Sequence, residues 1–321
     1  MKALVLGKFM PFHQGHQALI DFALQRADKV VVLVCCSLQE NIPASIRTQW
    51  IAQTYQGEAR LQIIPYTYSE ADLPNSSVPD LRIAEAWAQV IGQLLPDLDA
   101  ICTSEAYGDN VARLLHIQHW MFDAQRKRLP VSATMIRTNP TAYWSFLPDA
   151  VKPYYQQKII LLGTESTGKS SLAEALHQQL PAALVEEAGR RIVAQSEHVT
   201  IDQLYQIVHE HDASLQAAIN TLQPFVILDT DVYITQSYAH FFFGHFLTIE
   251  ANIYNRQQGR RFYLSADFPY VQDGTRLDEA QRNALDIHHR HTLQIFQQSY
   301  EDITGTWQQR LEKLIHQSIN N

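Results

Sequence analysis

Short apolar runs of strand length alternate with longer amphipathic stretches along this chain. Lys2–Leu6 and Lys29–Cys36 are apolar runs, and a helical pattern that begins at Gln17 separates them. The alternation returns in the second half, where the apolar run Lys158–Leu162 comes before a helical pattern over Ser171–Leu180. Strands that alternate with helices are typical of parallel sheets. The pattern therefore predicts an α/β protein in which each half contains a parallel sheet.

A proline-rich stretch separates the two halves. Pro140, Pro148 and Pro153 fall close together, and proline ends helices. With 321 residues, the chain is long enough for two domains. We therefore predict an N-terminal domain over residues 1–150 and a C-terminal domain over residues 155–321.

Composition and charge exclude several classes of function. The net charge of -8 argues against a generic nucleic-acid surface or an anionic-membrane surface. The three cysteines form neither a disulfide framework nor a zinc pattern, which favours a reducing compartment. The apolar region over residues 225–247 contains acids and histidines and is too polar to span a membrane. We therefore predict a cytoplasmic protein without nucleic-acid or membrane partners, and the sequence leaves a homo-oligomer open.

The second half contains a loop with the composition of a phosphate-binding site. The sequence Gly163-Thr-Glu-Ser-Thr-Gly-Lys-Ser170 lies between an apolar run and a helical pattern, which is the context of a P-loop. Glycines let backbone N–H groups face an anion, and a helix N-terminus adds partial positive charge. We expect Lys169 to reach the β- and γ-phosphates of ATP and Ser170 to hold Mg²⁺. The predicted ATP-binding residues are Gly163, Thr164, Glu165, Ser166, Thr167, Gly168, Lys169, Ser170 and Ser171.

Two acidic groups follow predicted strands of the second half. Glu187 comes shortly after Ala183–Val185, and Asp229 ends the apolar run that starts at Pro224. The second strand has the form of a Walker B strand, whose carboxylate supports Mg²⁺, so Ser170 and Asp229 are the predicted metal ligands. Either Glu187 or Asp229 is a candidate to orient an acceptor hydroxyl, although an exposed acidic helix start explains Glu187 equally well.

The first half has a histidine pair after its first strand. His13 and His16 follow the run Lys2–Leu6 and precede a helical pattern. Two imidazoles three residues apart at a helix start point the same way, and ligands of parallel sheets bind at the carboxyl ends of the strands. We expect both rings to donate to nucleotide phosphates, with Gly15 allowing close approach of the backbone.

The segment Gly7-Lys-Phe-Met-Pro-Phe-His-Gln-Gly-His16 resembles the first signature of the nucleotidylyltransferase superfamily, and Ser132-Ala-Thr-Met-Ile-Arg137 resembles the second. Members of this superfamily transfer a nucleoside monophosphate from ATP to a phosphorylated acceptor. The resemblance implies a Rossmann-like domain, and hydroxyl donors with a guanidinium suit a polyphosphate. The implied catalytic residues are His13, His16 and Arg137. The implied ATP-binding residues are Gly7, Lys8, Phe9, His13, His16, Ser132, Thr134 and Arg137.

Other segments of the first half resemble nicotinamide-mononucleotide adenylyltransferases of the archaeal and NadR types. Asn41–Arg47 is similar to their loop with a phosphate-binding arginine, and Trp87 stands where they place a tryptophan near the nicotinamide ring. The resemblance implies that Arg47 and Trp87 bind nicotinamide mononucleotide (NMN), while a core position explains Trp87 equally well. Thr103–Gly108 resembles their element near the adenosine. Asp123–Arg128 carries three basic residues that suit either a phosphate or solvent.

The second half resembles the ribosylnicotinamide kinase domain of NadR-type proteins. Glu187, Arg190, the triplet Asp229-Thr-Asp231 and the segment from Tyr263 to Arg276 match its motifs in order. The resemblance implies catalytic roles for Lys169, Glu187 and Asp229, and places Arg276 over ATP as a lid. It implies riboside contacts for Glu187, Arg190, Asp231, Tyr270 and Asp273, although the family often has tryptophan where Tyr270 stands. Some NadR-type proteins begin with a DNA-binding domain, and we expect none here because the first strand begins at Lys2.

Together these motifs predict a bifunctional enzyme of NAD salvage. The C-terminal P-loop kinase domain is expected to phosphorylate nicotinamide riboside (NR) with ATP and Mg²⁺. The N-terminal domain is expected to transfer the adenylyl group of ATP to NMN, giving NAD and pyrophosphate. The alternatives are the same architecture acting on another nucleotide acceptor, a nucleotide-sensing regulator with one inactive domain, and a DNA-binding repressor, which the acidic charge opposes. The histidines at 209–211 and 288–291 lack zinc-ligand spacing and are expected at the surface.

Overall fold

The computed structural model of the chain describes residues 1–73, 80–193, 198–266 and 277–319. The chain divides into two compact units, Met1–Tyr154 and Tyr155–Asn321. Each unit has its own five-stranded sheet, and every strand pairing within the two sheets that the described residues form is parallel. The predicted α/β class with two parallel sheets is therefore confirmed.

The first unit has the strand order β3-β2-β1-β4-β5. Its strands are β1 (Lys2–Gly7), β2 (Lys29–Ser37), β3 (Leu61–Tyr68), β4 (Ala100–Thr103) and β5 (Gln118–Met121). Its helices are α1 (Gln14–Leu24), α2 (Ala44–Thr54), α3 (Leu81–Leu94), α4 (Tyr107–Leu115), α5 (Ala133–Thr138) and α6 (Lys152–Tyr155), the last of which ends at the first residue of the second unit.

The central strand of this unit is β1. Leu4 pairs with Val31 of β2 on one side and with Ile101 of β4 on the other, and all three side chains are buried. From β1 the chain builds the sheet outward through β2 and β3, and then returns to the other side for β4 and β5. β1 and β4 therefore flank the point where the strand order reverses, and the loops after them border a crevice at the carboxyl edge.

The first helix begins earlier than the sequence pattern suggests. α1 begins at Gln14 and not at Gln17, because His13 caps it. The backbone of His13 is extended, with φ -146° and ψ 169°, and its ring Nδ1 accepts a hydrogen bond from the Gly15 N–H at 3.1 Å. A side chain that accepts from an orphan N–H is what a helix N-cap requires. The cap holds His13 at the crevice and places His16 in the first turn.

The second unit has the strand order β10-β9-β6-β8-β7. Its strands are β6 (Gln157–Leu162), β7 (Ala182–Val185), β8 (Phe225–Asp229), β9 (Arg260–Leu264) and β10 (Glu301–Ile303). Its helices are α7 (Lys169–Gln179), α8 (Gly189–Ile192), α9 (Ile201–Ile219), α10 (Val232–Phe243), α11 (Ala251–Arg256), α12 (Glu279–Ile295) and α13 (Trp307–Ile319).

Successive residues of β6 enter opposite layers of this unit. Ile159 and Leu161 pack in a cluster with Leu172 of α7. Ile160 and Leu162 pack in a separate cluster with Leu204 of α9. Because both faces of this parallel sheet are covered, ligands bind at the carboxyl ends of its strands. The loop that follows β6 lies at such an end, where a phosphate can bind.

Two histidines that were expected at the surface are buried. His211 in α9 and His289 in α12 are 3% and 0% exposed. His289 Nδ1 lies 2.7 Å from Ser237 Oγ of α10, so this ring sits between two packed helices. The helical pattern carries these residues inward, which corrects the expectation for both.

No helix of the described segments is both long and apolar enough to cross a bilayer.

Two candidate nucleotide sites

A cavity of ≈ 700 Å³ lies at the carboxyl edge of the first sheet. Its walls come from the loop after β1, the turn after β4, one face of α3 and the segment that leads into α5. A position at the reversal point of a parallel sheet is typical of nucleotide sites. The lining includes Gly7, Lys8, His13, His16, Trp87, Thr103, Glu105, Arg126, Ser132 and Thr134.

The two histidines form a stacked pair in this cavity. The ring centroids of His13 and His16 are 3.8 Å apart, and the ring of Phe9 lies edge-on to His16 at 4.9 Å. Because His13 Nδ1 accepts from the Gly15 N–H, the proton of the neutral ring is on Nε2. Among the described residues, His16 Nδ1 is buried and has no hydrogen-bond partner. The pair therefore keeps polar ring atoms for a ligand.

Both rings are neutral at pH 7. Burial, followed by the positive charge of Arg126, lowers the pKa of His13 to about 4. Burial also holds the pKa of His16 well below its ordinary value, and both His13 and Arg126 add to this effect. Removing a charged group from water disfavours its charged form. The site therefore offers neutral N–H donors, and the positive charge beside them belongs to Arg126.

The depressed pKa of His13 predicts a loss of stability in mild acid. Its pKa is about 4 in the folded chain and 6.5 ordinarily, so the unfolded state binds more protons between these values. Stability therefore falls as pH drops through this window. Between pH 7 and pH 5 the wild type should lose about 2 kcal/mol more unfolding free energy than His13→Gln does.

Denaturant titrations followed by tryptophan fluorescence measure this difference. Trp50, Trp87, Trp120 and Trp144 lie in the first unit and Trp307 in the second, so the signal reports mainly the unit that contains His13. Equal pH dependence in the two proteins would contradict the depressed pKa.

The predicted second signature meets the cavity in part. Ser132 caps α5 by accepting from the Met135 N–H at 3.2 Å, and both Ser132 and Thr134 line the cavity. Arg137 is outside the lining and donates to Thr134 Oγ1 at 3.1 Å and to the carbonyl oxygen of Met10. In this structure Arg137 fastens the loop between β1 and α1 to α5, and its predicted contact with ATP stays a prediction.

Arg47 is not among the residues that line the cavity, and its predicted contact with NMN stays a prediction. Arg47 is 1% exposed and forms an ion pair with Glu40 Oε2 at 2.8 Å. It also donates to the carbonyl oxygens of Lys8 and Cys35. These partners are all protein oxygens. Arg47 therefore ties the loop that follows β1 to the end of β2. Phe9 is likewise buried at 1% exposure beneath the lining.

Trp87 combines the two roles that the sequence left open. It is 7% exposed and packs edge-on against Tyr68, with ring centroids 5.3 Å apart. It also lines the cavity, together with Asp80, Ile83 and Ala84 of the same helical face. Sequence reasoning missed these three neighbours, although Ala84, Ile83 and Asp80 stand three, four and seven residues before Trp87, a spacing that marks one face of a helix and its N-cap.

The basic turn after β5 presents one of its three cations to the cavity. The carboxylate of Asp123 accepts from the backbone N–H groups of Lys127, Arg128 and Leu129 at 3.0, 3.1 and 3.4 Å. These three hydrogen bonds shape the turn. As a result Arg126 lines the cavity, whereas Lys127 and Arg128 do not. Arg126 is therefore the residue of this turn that is placed to meet a phosphate.

A second cavity, of ≈ 650 Å³, surrounds the P-loop of the second unit. Gly163 has φ 138°, and a Cβ there would lie 2.7 Å from the carbonyl oxygen of Leu264, so this position requires glycine. Gly168 has φ 84° and caps α7. The lining includes Gly163, Glu165, Ser166, Thr167, Gly168, Lys169, Ser170, Ser171, Glu187 and Arg190.

Within this loop, Lys169 and the threonines hold the backbone turn. Lys169 Nζ and Thr167 Oγ1 both donate to the carbonyl oxygen of Thr164, at 2.9 and 2.8 Å. Thr164 is 1% exposed and is absent from the lining, so it supports the loop from behind. The remaining P-loop residues named from the sequence lie together around the cavity.

Ser170 joins the P-loop to the neighbouring strand. Leu161 of β6 pairs with Asp229 of β8, and the Ser170 hydroxyl donates to the Asp229 carboxylate. Arg190 Nη2 donates to Ser170 Oγ at 2.5 Å, and Arg190 Nε donates to Glu187 Oε2 at 3.2 Å. The structure thus brings together Ser170, Glu187, Arg190 and Asp229, as the sequence patterns predicted.

The carboxyl group of Glu187 has a raised pKa. Burial is the main cause, and the negative charge of Asp229 adds to it, while Lys169 and Arg190 oppose it. A carboxylate with a raised pKa binds a proton more readily than an ordinary one. Glu187 is therefore better suited than a solvent-exposed acid to interact with an acceptor hydroxyl.

Asp231 is not among the residues that line the cavity, and its predicted contact with the riboside stays a prediction. Its Oδ1 caps α10 by accepting from the N–H groups of Tyr233 and Ile234, at 3.0 and 3.2 Å. Its Oδ2 pairs with Arg261 Nε at 2.8 Å, and its side chain is 0% exposed. Both oxygens thus have structural partners. The predicted positions Tyr270, Asp273 and Arg276 lie outside the described residues.

One wall of the second cavity was missed by sequence reasoning. Ile234, Thr235 and Tyr238 of α10 face Leu204 and Ile207 of α9 across it. The helical spacing of the three α10 residues after the acidic triplet was the available signal. This wall combines aliphatic side chains with one aromatic ring, which suits a flat organic group.

Comparisons with known proteins agree with this division. Residues 4–139 match the family described as Cytidylyltransferase-like, and residues 158–310 match the family described as AAA domain. The "Trifunctional NAD biosynthesis/regulator protein NadR" of Escherichia coli is 26% identical over 300 residues, which cover 85% of this chain and 71% of that protein. The nicotinamide-nucleotide adenylyltransferase of Ignicoccus hospitalis is 30% identical over 112 residues, covering 32% and 58% of the two chains.

A solved structure of a NadR protein in complex with NR matches 100% of this chain and 96% of its own, with a TM-score of 0.72 at 18% sequence identity. The fold and the two sites define a protein that joins a nucleotidylyltransferase-like unit to a P-loop unit. Within this class, the chain is similar in sequence to NadR proteins over 85% of its length.

Proposed function

We propose that the second unit phosphorylates NR with ATP, and that the first unit transfers the adenylyl group of ATP to the resulting NMN. The observation that carries the proposal is that each unit has its own cavity, one lined by the P-loop and one lined by the His13–His16 pair. Solved NadR structures contain NR in one case, and NAD with AMP-PNP in another. The ligands of this chain are accordingly ATP, NR, NMN and NAD, without a nucleic-acid partner.

In the kinase reaction, a riboside hydroxyl oxygen attacks the γ-phosphorus of ATP, a new P–O bond forms, and ADP leaves. The backbone of the P-loop and Lys169 hold the phosphates, and Arg190 adds positive charge. Glu187 orients the hydroxyl and accepts its proton, a role that its raised pKa favours. The wall with Leu204, Ile207 and Tyr238 holds the flat nicotinamide ring.

Mg²⁺ fits the residues beside the P-loop. Ser170 Oγ contacts Asp229 Oδ2, and Asp229 Oδ1 is buried with no hydrogen-bond partner in the described part of the chain. Hydroxyl and carboxylate oxygens are ligands that Mg²⁺ prefers. Ser170 and Asp229 therefore hold the ion, which neutralises negative charge on the β- and γ-phosphates when bound.

Replacing Asp229 by asparagine should weaken metal binding without disturbing the fold. The amide side chain keeps the size of the acid and a hydrogen bond to Ser170 but removes the negative charge, so affinity should fall about 10–100-fold. Titration of Mn²⁺ with ATP, followed by electron paramagnetic resonance, measures this affinity in wild type and in Asp229→Asn. Unchanged Mn²⁺ affinity would argue that the ion is held elsewhere.

In the adenylyl transfer, a phosphate oxygen of NMN attacks the α-phosphorus of ATP, and pyrophosphate leaves with the electrons of the broken P–O bond. His13 and His16 donate as neutral imidazoles to the phosphoryl oxygens, and Arg126 supplies positive charge. Preorganised donors aimed at developing charge account for much of such catalysis. No covalent intermediate is required, and Trp87 forms the wall for the nicotinamide ring.

The function is tested by incubating the chain with NR, ATP and Mg²⁺ and following products by mass spectrometry. NAD that appears through NMN is the expected result. NMN without NAD would refute the acceptor proposed for the first unit. No product from NR, together with NAD from added NMN, would refute the kinase assignment.

A further inference from the structure

The turn after β4 is held by a hydrogen-bond network that the proposed chemistry does not use. The Thr103 hydroxyl lies 2.7 Å from the carbonyl oxygen of Glu105 and 3.3 Å from the Glu105 N–H. His119 of β5 reaches the same hydroxyl with its Nε2 at 2.9 Å. The other nitrogen of His119, Nδ1, lies 2.6 Å from Asp109 Oδ1 of α4.

The partners fix the direction of each bond. A carbonyl oxygen accepts only, so the Thr103 hydroxyl donates its single proton to Glu105. His119 Nε2 must then donate to Thr103 Oγ1. Because an ionised carboxylate also accepts only, His119 Nδ1 donates to Asp109. A ring that donates from both nitrogens is an imidazolium, and its contact with Asp109 is charge-assisted.

Gly108 gives independent evidence that the start of α4 accommodates the hydrogen bond between His119 and Thr103. A Cβ added at Gly108 would lie 2.5 Å from His119 Nε2 and 2.6 Å from Thr103 Oγ1. Any larger residue would therefore push into the hydrogen bond between them. This explains in physical terms why glycine follows Tyr107 at the start of α4, where it is not needed for a left-handed backbone.

The network reaches the cavity through the turn that it supports. Thr103, Ser104 and Glu105 all line the cavity of the first unit. Glu105 Oε1 lies 3.8 Å from Arg126 Nη2. The positive charge of Arg126 in turn lowers the pKa of both His13 and His16. The side chain of His119 is 8% exposed, while that of Asp109 is 64% exposed. The path thus runs from an exposed acid, through a buried ring, to the cavity wall.

We propose that His119 is a positioning residue for adenylyl transfer, acting as a double hydrogen-bond donor that fixes the Thr103–Glu105 turn against the bound nucleotide. This inference rests on the function proposed for the first unit. His119 does not itself line the cavity. Its effect passes through Thr103 to the backbone of Glu105, which receives one hydrogen bond and donates the other.

The test is a matched pair of substitutions, His119→Gln and His119→Glu. The glutamine amide keeps a donor toward Thr103, whereas the isosteric carboxylate offers acceptors only. We expect His119→Glu to lower kcat/KM for ATP in adenylyl transfer about tenfold, mainly through KM, and His119→Gln to stay within about threefold of wild type. The kinase activity of the same chain should be unchanged in both and controls for the second unit, while circular dichroism reports whether the first unit, which contains His119, remains folded.

A spectroscopic measurement reports the network without relying on activity. In wild-type protein labelled with ¹⁵N-histidine, both ring nitrogens of His119 should show shifts of protonated nitrogen. In Asp109→Asn the amide donates to Nδ1, so the ring should become neutral with the proton on Nε2, and adenylyl transfer should stay within about twofold of wild type because the bond to Thr103 persists. Because Asp109 is exposed, this variant should fold, and its nitrogen shifts test the network even where His119→Glu fails to fold.

The outcomes distinguish the function proposed for the first unit from the positioning role of His119. A wild-type chain with no adenylyltransferase activity refutes the proposed function of the first unit, while the nitrogen shifts still test the network. An active wild type with His119→Glu as active as His119→Gln refutes the positioning role. A singly protonated His119 ring in the wild type refutes the double-donor arrangement.

Discussion

Lys169→Met should abolish phosphorylation of NR while leaving adenylyl transfer to NMN intact. Lys169 is 7% exposed, lines the P-loop cavity and donates to the carbonyl oxygen of Thr164. Its ammonium group is the positive charge of this loop, and methionine preserves the stem but not the charge. Removing a preorganised donor to the transferring phosphoryl group costs a factor of about 10²–10³ in rate. Steady-state assays of NMN formation from NR measure the loss.

A matched lysine on the surface provides the control. Lys313→Met removes an ammonium group that pairs with Glu301 on the outside of the second unit, and it should leave both activities near wild type. Kinase activity in Lys169→Met at more than about a tenth of wild type would contradict the role of the P-loop cavity in ATP binding. Equal loss of both activities would point to misfolding and not to a local effect.

His16→Ala should produce the opposite pattern, with adenylyl transfer lost and phosphorylation retained. The His16 ring stacks on His13 and lies against Phe9. Because burial keeps its pKa well below the ordinary value, the ring acts as a neutral donor in a site of low polarity, where each hydrogen bond to developing charge is strong. We expect a fall of about 10²–10³ in the rate of NAD formation from NMN and ATP.

The kinase activity of the same chain reports whether His16→Ala remains folded in its second unit, and circular dichroism reports on the first. His316→Ala, at an exposed position of α13, is a matched histidine substitution that should alter neither activity. Full adenylyltransferase activity in His16→Ala would remove the histidine pair from the mechanism.

The sequence predicts many of the residues that line the two cavities because local motifs fix the local backbone. The P-loop lies between β6 and α7, and Asp229 ends the adjacent strand β8, so strand pairing alone brings Ser170 to Asp229. In the first unit, the same logic holds for His13, which caps the helix after β1. In these cases the residues that bear the chemistry are close to strand ends.

For two predicted site residues, the structure adds a side-chain direction that the sequence does not give. Arg47 and Asp231 lie in segments that border the cavities, yet each points into the protein and pairs with an opposite charge, Glu40 and Arg261 respectively. A motif gives the position of a residue along the chain but not the side of a wall that it faces. Burying such a charge requires a partner, and a local motif does not reveal which residue that partner is.

Contacts between distant segments also explain the residues that were missed. Tyr238 reaches the second cavity from α10, and His119 supports the first cavity from β5. Neither belongs to a phosphate-binding motif, and their roles depend on how helices and strands pack. The helical spacing of Ile234, Thr235 and Tyr238 was a usable signal, whereas the hydrogen bond from His119 to Thr103 required the register of β4 and β5.

The most direct test of two separate sites in one chain is a mixing experiment with the two inactive variants. Lys169→Met and His16→Ala are each incubated with NR, ATP and Mg²⁺, and then together, and NAD is measured over time. Neither variant alone should form NAD, and the mixture should form it after NMN has accumulated, because His16→Ala supplies the NMN that Lys169→Met converts. NAD formation by either variant alone, or a mixture that stays inactive, would contradict the assignment of one reaction to each unit.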